Sequence, residues 1–203
     1  IVGHYLVPSQ QDIFNTAVLD NVVVESSIKV LAIKKHNSVQ DVSSSSQCQT
    51  SEQSAAPLVG CKIKLTGIES QGAQSVTISF QAASTSVRIW FPTVPIRVTA
   101  QDTILNEIQA WKQSDCASPR YQQTSLRAAC DFVSGEDTFS ADVTNLVTFA
   151  SSTSGVILIE GSKAIGLSQG SAVISASPGS NSLEMVVSSE SVSIQKLEAL
   201  VYT

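Results

Sequence analysis

Apolar and polar residues alternate one for one through most of this chain. Leu126, Ala128, Cys130 and Phe132 share one parity, as do Val76, Ile78 and Phe80, then Val87, Ile89 and Phe91; Ala172, Ile174 and Ala176 do so later, followed by Leu183, Met185 and Val187. A period of two puts every second side chain on the same face of an extended backbone, so each segment reads as a strand with one buried and one solvated face. Helical periodicity is scarce, and hydroxyl-rich or glycine-containing breaks separate the segments. This pattern predicts an all-β, antiparallel protein.

Several segments carry more specific expectations. Asn21–Ile33 reads as two β-branched runs split at Glu25-Ser26-Ser27. Leu58–Leu65 reads as one strand, with Val59, Cys61, Ile63 and Leu65 on one face and Lys62 and Lys64 on the other. Ser75–Phe80 and Val87–Phe91 form a hairpin, and Asp41–Pro57 is a polar loop restrained at Cys48 in place of burial. Further on, Ile96 and Val98 share a face, Val143 and Leu146–Phe149 follow, and Val156–Ile159 is continuous enough to be buried on both faces. In Asp102–Trp111, Ile104, Leu105, Ile108 and Trp111 fall on one helical stripe with Asp102 placed to cap it. That segment reads as a helix or as a single helical turn beside a strand.

The stretch SVRIWFPTVPIRV, Ser86–Val98, organises the chain. Pro92 has no N–H to extend a ladder, and Pro95 biases Val94 toward extended backbone. Read as a seam, the stretch leaves two blocks with strands at short intervals, which fits two tandem Ig-like β-sandwich domains joined by a short Pro-containing linker. Residues 1–93 form the first, residues 94–194 the second, and residues 195–203 an exit strand or the start of a further domain. Trp90, Pro92, Pro95 and Trp111 mark the interdomain seam, a stiff joint with the domains in near-linear array. Trp90 either packs there against the Ile104–Trp111 stripe or stands exposed as an interface anchor.

Composition narrows the function. Only 14% of the 203 residues are charged, against roughly 25% in an ordinary globular chain. A net charge of −5 and the lack of any basic stripe exclude phosphate-backbone binding, so no nucleic-acid partner is expected. No apolar run approaches the ~20 residues of a membrane helix. The opening IVGHYLVP has no initiating Met and no signal-peptide pattern, so the chain reads as a mature or excised piece. Four cysteines, Cys48, Cys61, Cys116 and Cys130, are too widely spaced for a metal knuckle or redox motif. Local pairing, Cys48 with Cys61 and Cys116 with Cys130, is the natural disulfide framework, and each bridge would contribute about 3 kcal/mol for a ~15-residue loop. Four buried thiols are the alternative. Disulfides would place the chain outside the cell or at its surface.

Two resemblances follow from particular residues. GVILIEGSKAIGLSQGSAVISAS, Gly155–Ser177, resembles the bacterial Ig-like group 2 pattern through Gly161, Ala164, Gly166, Leu167, Ser168, Gly170, Ala172, Ile174 and Ala176. The chain as a whole resembles the ectodomain of the transmembrane protein 132 family. The residues that carry this are Asn15–Leu19, Ile28–Ile33, Cys48 and Cys61 around a polar loop, Val87–Trp111, Tyr121-Gln122, Ala141–Leu146 and the Gly161–Ala176 stretch. The family implies single-pass surface proteins with tandem Ig-like domains, connected with cell adhesion. A membrane span is missing from this chain, and Cys130 is unfamiliar in that pattern.

The chemical motifs in the chain are incomplete. Gly166–Gly170, GLSQG, satisfies the nucleophile-elbow spacing, but no His follows Ser168; His4 and His36 are the only two in the chain. Neither His has a ligand partner at zinc spacing. Glu136, Asp137 and Asp142, with Asp131 near, could offer oxygens to calcium but lack an EF-hand register, so they read as a solvated loop. The chain is therefore expected to use no catalytic residue, metal, cofactor or small-molecule substrate. The expected function is an extracellular adhesion or interaction module with protein partners or self-association. The alternative is a structural subunit of an extracellular filament or matrix assembling through strand edges.

Overall fold

The computed structural model describes residues 1–115 and 117–194. In chain order the strands are β1 (Gly3–Pro8), β2 (Asp12–Phe14), β3 (Val24–Ile33), β4 (Val39–Asp41), β5 (Gln49–Thr50), β6 (Leu58–Val59), β7 (Lys62–Leu65), β8 (Ala73–Phe80) and β9 (Ala83–Pro92). They continue as β10 (Arg97–Ala100), β11 (Ile104–Lys112), β12 (Pro119–Tyr121), β13 (Gln123–Ser134), β14 (Asp137–Asp142), β15 (Thr148–Ser151), β16 (Ile157–Glu160), β17 (Lys163–Gly166), β18 (Gly170–Ser177) and β19 (Leu183–Val192). One helical turn, α1 (Ala17–Asp20), interrupts them, with two short 3-10 turns before β5 and a third after β14. The all-β expectation stands.

Two compact units make up the chain. The first holds Ile1–Val94 together with Cys130–Ala141, and the second holds Pro95–Ala129 with the chain from Asp142 on. A single division near residue 93 is thus replaced by one in which the turn of a later hairpin returns to the first unit. The alternation Leu126, Ala128, Cys130, Phe132 is seamless, and all four side chains are buried. Nothing in its period could show that β13 changes cores between Ala129 and Cys130. The residues expected to lead out from position 195 lie outside the described residues.

The first unit is a two-sheet sandwich. One sheet runs β1-β3-β7-β6 with β4 also on β3; the other carries β5-β8-β9, with β2 parallel to β9 at Arg88–Trp90 and β13 antiparallel to it at Phe91–Pro92. Leu6, Ile28, Val30, Ile63 and Leu65 of the first sheet meet Val76, Ile78, Val87 and Ile89 of the second, with Ile13 among them. The predicted β8–β9 hairpin forms with register Val76↔Val87. Three local expectations change. Glu25-Ser26-Ser27 does not break β3, because buried Ser26 meets the Ser9 hydroxyl at 3.0 Å. Leu58–Leu65 is not one strand: Gly60, at φ 65°, reverses the chain so that Val59 pairs with Lys62 and turns outward, 66% exposed. The polar Asp41–Pro57 segment does gain burial, since Ala55 and Ala56 are fully enclosed.

The second unit has one sheet ordered β12-β11-β19-β18-β15, and a second group in which β17 pairs β16 and β13, and β10 pairs β13. Ile96, Val98, Leu126, Ala128, Ile157, Ile174 and Met185 are buried. The helical stripe at Ile104–Trp111 is overridden: the segment is β11, parallel to β19 through Leu105↔Val187. Only Leu105 reaches the core, while Ile104 and Trp111 stay 49% and 40% exposed. Asp102 keeps its capping chemistry in another use, accepting the Ile104 N–H at 3.0 Å to open the strand. Val156–Ile159 buries fully only at Ile157.

Candidate interaction surface

The strongest departure from one-face-in, one-face-out patterning lies on the outside of β1, β3 and β4. Leu6 on β1 and Val30 and Ala32 on β3 point into the core. By strand alternation Tyr5, Val7, Leu31 and Ile33 point away from it. Their register sets Tyr5 across from Leu31, and Ile33 across from Val39 of β4. Tyr5 is 62% exposed and Val39 60%, with Val7 and Ile33 also exposed and Leu31 half-buried. Contiguous apolar side chains on an outer sheet face mark a surface made to be covered. Lys29, opposite Val7, and Asp41, opposite Leu31, border it. Sequence reading missed this face, although the signal was present: IKVLAI is apolar on both parities from Val30 on.

An aromatic cluster, buried at Trp90 and Phe132, belongs to the same unit. Phe14 stacks on Trp90 with ring centroids 5.6 Å apart and meets Phe132 and Phe139 edge-on at 5.3 and 5.9 Å. The Trp90 indole N–H donates to Asp12 Oδ1 at 2.9 Å, and the Arg88 guanidinium lies 5.3 Å from the Trp90 ring while contacting Asp137 at 3.0 Å. Trp90 is thus committed to a bonded, buried place inside the first unit. Pro92 pairs opposite Phe132 as the last residue of β9 instead of ending the ladder, which continues through the Thr93 N–H to Asp131 at 2.8 Å. Pro95 opens the second unit. Trp111 sits in that unit with the Arg120 guanidinium 5.0 Å from its ring, at the rim of a groove of about 430 Å³ also lined by Ile108, Leu158, Ile165 and Leu167.

The cysteines divide unequally. Cys48 and Cys61 form a disulfide that ties the segment just before β5 to the turn before β7. Cys130 is a buried thiol whose Sγ–H donates to the Thr93 carbonyl at 3.1 Å, so it does not enter the second bridge expected from spacing. Its partner in that expectation, Cys116, lies outside the described residues.

A buried carboxylate was also missed. Glu69 is 8% exposed and accepts hydrogen bonds from the Thr66 and Gly67 N–H groups and from Asn15 Nδ2, the last at 3.0 Å. Burial opposes its charge, but these donors together outweigh burial and hold the carboxyl below its ordinary range. The loop closes against α1 at Gly67, at φ +86°, where an added Cβ would stand 2.5 Å from the Ala17 carbonyl oxygen.

The residues set aside as chemistry fall in ordinary surroundings. Ser168 donates to the Gly155 carbonyl at 2.7 Å from the connection between β17 and β18, a strand–turn–strand context. His4 packs edge-on against Phe80 at 5.1 Å, and His36 lies in a turn at φ 67°. Asp137 is engaged by Arg88, and Asp142 accepts the Thr144 N–H at 2.9 Å. Among the described residues no group of three or more His, Cys, Asp and Glu side chains could hold a metal ion, and no helix is long and apolar enough to cross a membrane.

Sandwiched antiparallel sheets, with β2 crossing to pair with β9, define an Ig-like β-sandwich protein. Residues 4–96 match the family model described as the TMEM132 fourth domain. Those residues, fewer than half of the chain, are similar to a TMEM132-family Ig-like domain, and that likeness together with the disulfide supports an extracellular Ig-like module. Ig-like domains of this kind are typically non-enzymatic. Among solved structures, the one titled "Structure of the S-layer protein SbsC, domains 5-6" aligns over 91% of this chain and 96% of that chain at 10% identity, with a TM-score of 0.30.

Proposed function

We propose that this chain is a protein-binding adhesion module whose working surface is the outer face of β1, β3 and β4, and that it carries no catalytic activity. The observation that carries this reading is the contiguous apolar set Tyr5, Val7, Leu31, Ile33 and Val39 on a face that alternation should have left polar. Exposed aromatic and aliphatic side chains with a charged rim are the composition of a binding hot spot, and a rigid sheet holds them without further ordering cost. Beads coated with the chain should bind cell surfaces or one another. Ile33→Asp and Val39→Asp together should abolish that binding while leaving the fold intact. Undiminished binding by the double variant would move the surface elsewhere, and wild-type beads that bind nothing would sink the reading.

A further inference from the structure

The charges around that face say what kind of partner covers it. The first unit holds six basic residues, Lys29, Lys34, Lys35, Lys62, Lys64 and Arg88, against nine Asp and Glu. The sheet of β1, β3, β4, β6 and β7, with the turn from β3 to β4, carries five of the six but only two of the nine, Glu25 and Asp41. A basic surface is thus set into a chain whose net charge is −5. In sequence order only Lys34 and Lys35 are adjacent; strand pairing brings the others to the same sheet.

Register places them. On β3 the buried side chains are Ser26, Ile28, Val30 and Ala32, so Lys29 shares the outer face with Leu31 and Ile33. On β7 Ile63 and Leu65 are buried, and Lys62 and Lys64 turn outward opposite Ser27 and Glu25. Lys34 and Lys35 follow Ile33 at the other end, both exposed. At about 3.4 Å per residue, Lys29 and Lys34 stand roughly 17 Å apart along the direction of β3, with the apolar set between them. Both carboxylates are already engaged. Glu25 Oε2 takes the Lys62 ammonium at 2.8 Å, and Asp41 Oδ1 accepts the Ser43 N–H at 2.9 Å and the Ser43 hydroxyl. Among the described residues Lys29, Lys34, Lys35 and Lys64 enter no ion pair.

We propose that the outer face of β1, β3 and β4 docks an acidic protein surface, one whose apolar centre is ringed by Asp and Glu side chains. This inference rests on the reading of that face as a binding surface and names the chemistry of its partner. Tyr5, Leu31, Ile33 and Val39 need apolar groups to cover them, and the lysines at both ends of the set need anions; an acidic protein surface supplies both. A sulfated glycan would meet the lysines but offers no apolar centre. A second copy meeting face to face would set lysine against lysine. Charge then steers the encounter and selects the partner, while the apolar set supplies the buried contact.

The test is the binding to cells of beads coated with the whole chain. Lys29→Glu together with Lys35→Glu should cut it by about tenfold or more with an unchanged circular dichroism spectrum, and Lys29→Arg with Lys35→Arg should keep it. Lys112→Glu with Lys163→Glu makes the same change of charge on the second unit and should leave binding unaltered. Added salt should weaken binding by the unmodified chain. Trypsin treatment of the cells should abolish binding, while heparin lyase and chondroitinase together should not. Binding that the glycan lyases remove, or that phosphatidylserine vesicles reproduce, would assign the lysines to a sulfated glycan or a lipid surface and overturn the proposal. So would equal losses from the two lysine-to-glutamate pairs, or beads that adhere only to one another. Beads that lose binding with Ile33→Asp and Val39→Asp but ignore Lys29→Glu, Lys35→Glu and salt would defeat this inference and leave the adhesion reading standing. Unmodified beads that bind neither cells nor one another would sink that reading, and this inference with it.

Discussion

The outer face of β1 and β3 and that of β18 and β15 are built on the same alternation and use it oppositely. On β18 the inward residues are Ala172, Ile174 and Ala176, and the outward ones are Ser171, Val173, Ser175 and Ser177; its neighbour β15 shows Thr148 and Ala150 to solvent. On β1 and β3 the inward residues are equally apolar, but Tyr5, Val7, Leu31 and Ile33 stand outside with them. A strand that meets its structural needs with one face and still carries apolar groups on the other has a second partner to satisfy. Serine, by contrast, is what an outer face holds when water is the partner.

Four experiments would break or sharpen that contrast. The largest effect belongs to a residue that serves the core alone. Phe132→Ala should cost about 4 kcal/mol in chemical denaturation, with amide protection lost at Phe91, since Phe132 pairs with Pro92 at the end of β9. If Phe91 stays protected, the Cys130–Ala141 hairpin is not part of the first unit's core. Removing the bridge with Cys48→Ala and Cys61→Ala should cost about 3 kcal/mol, read as a lower unfolding midpoint. Glu69→Gln should cost about 2 kcal/mol, because the neutral amide weakens the bonds from Thr66 and Gly67 and turns donors toward donors.

The Glu69 carboxyl also has a pH signature. Its value is depressed in the fold, so its contribution is fully present above the ordinary glutamate range near ~4.3 and is lost as pH falls through the lower folded value. The stability gap between Glu69→Gln and the unmodified chain should therefore shrink in acid; a gap that is constant from neutral to acid pH would show that the charge is not what the loop uses. The smallest stability change is expected at the contrasted faces. Tyr5→Ser and Val173→Ser should each stay within about 0.5 kcal/mol, yet only Tyr5→Ser should weaken binding by coated beads. Equal loss from both would erase the distinction between the faces.

Much of this was readable from residue order. The β8–β9 hairpin, the inward set Leu126 to Phe132, the strands at Ala172 and Met185, and the Cys48–Cys61 bridge needed only local alternation and spacing. Misreadings arose where one local signal had two outcomes. The stripe at Ile104–Trp111 fits a helix as well as a strand, and the parallel partner β19, remote in sequence, decided for the strand. Gly60 could continue a strand or reverse it. Trp90 was read as belonging to a seam, whereas Phe14 and Asp12, far earlier in the chain, hold it. The binding face escaped notice because alternation identifies the side that is buried and leaves the chemistry of the other side unweighed.

Alternation by itself determined that the chain is all β and which side chains point inward, because a period of two is a property of the extended backbone and needs no neighbour. Tertiary structure alone decided which strand lies beside which. It split β13 between two units and set β11 parallel to β19. Every residue but proline offers the same N–H and C=O to a ladder, so the choice of partner is made by the packing of distant segments.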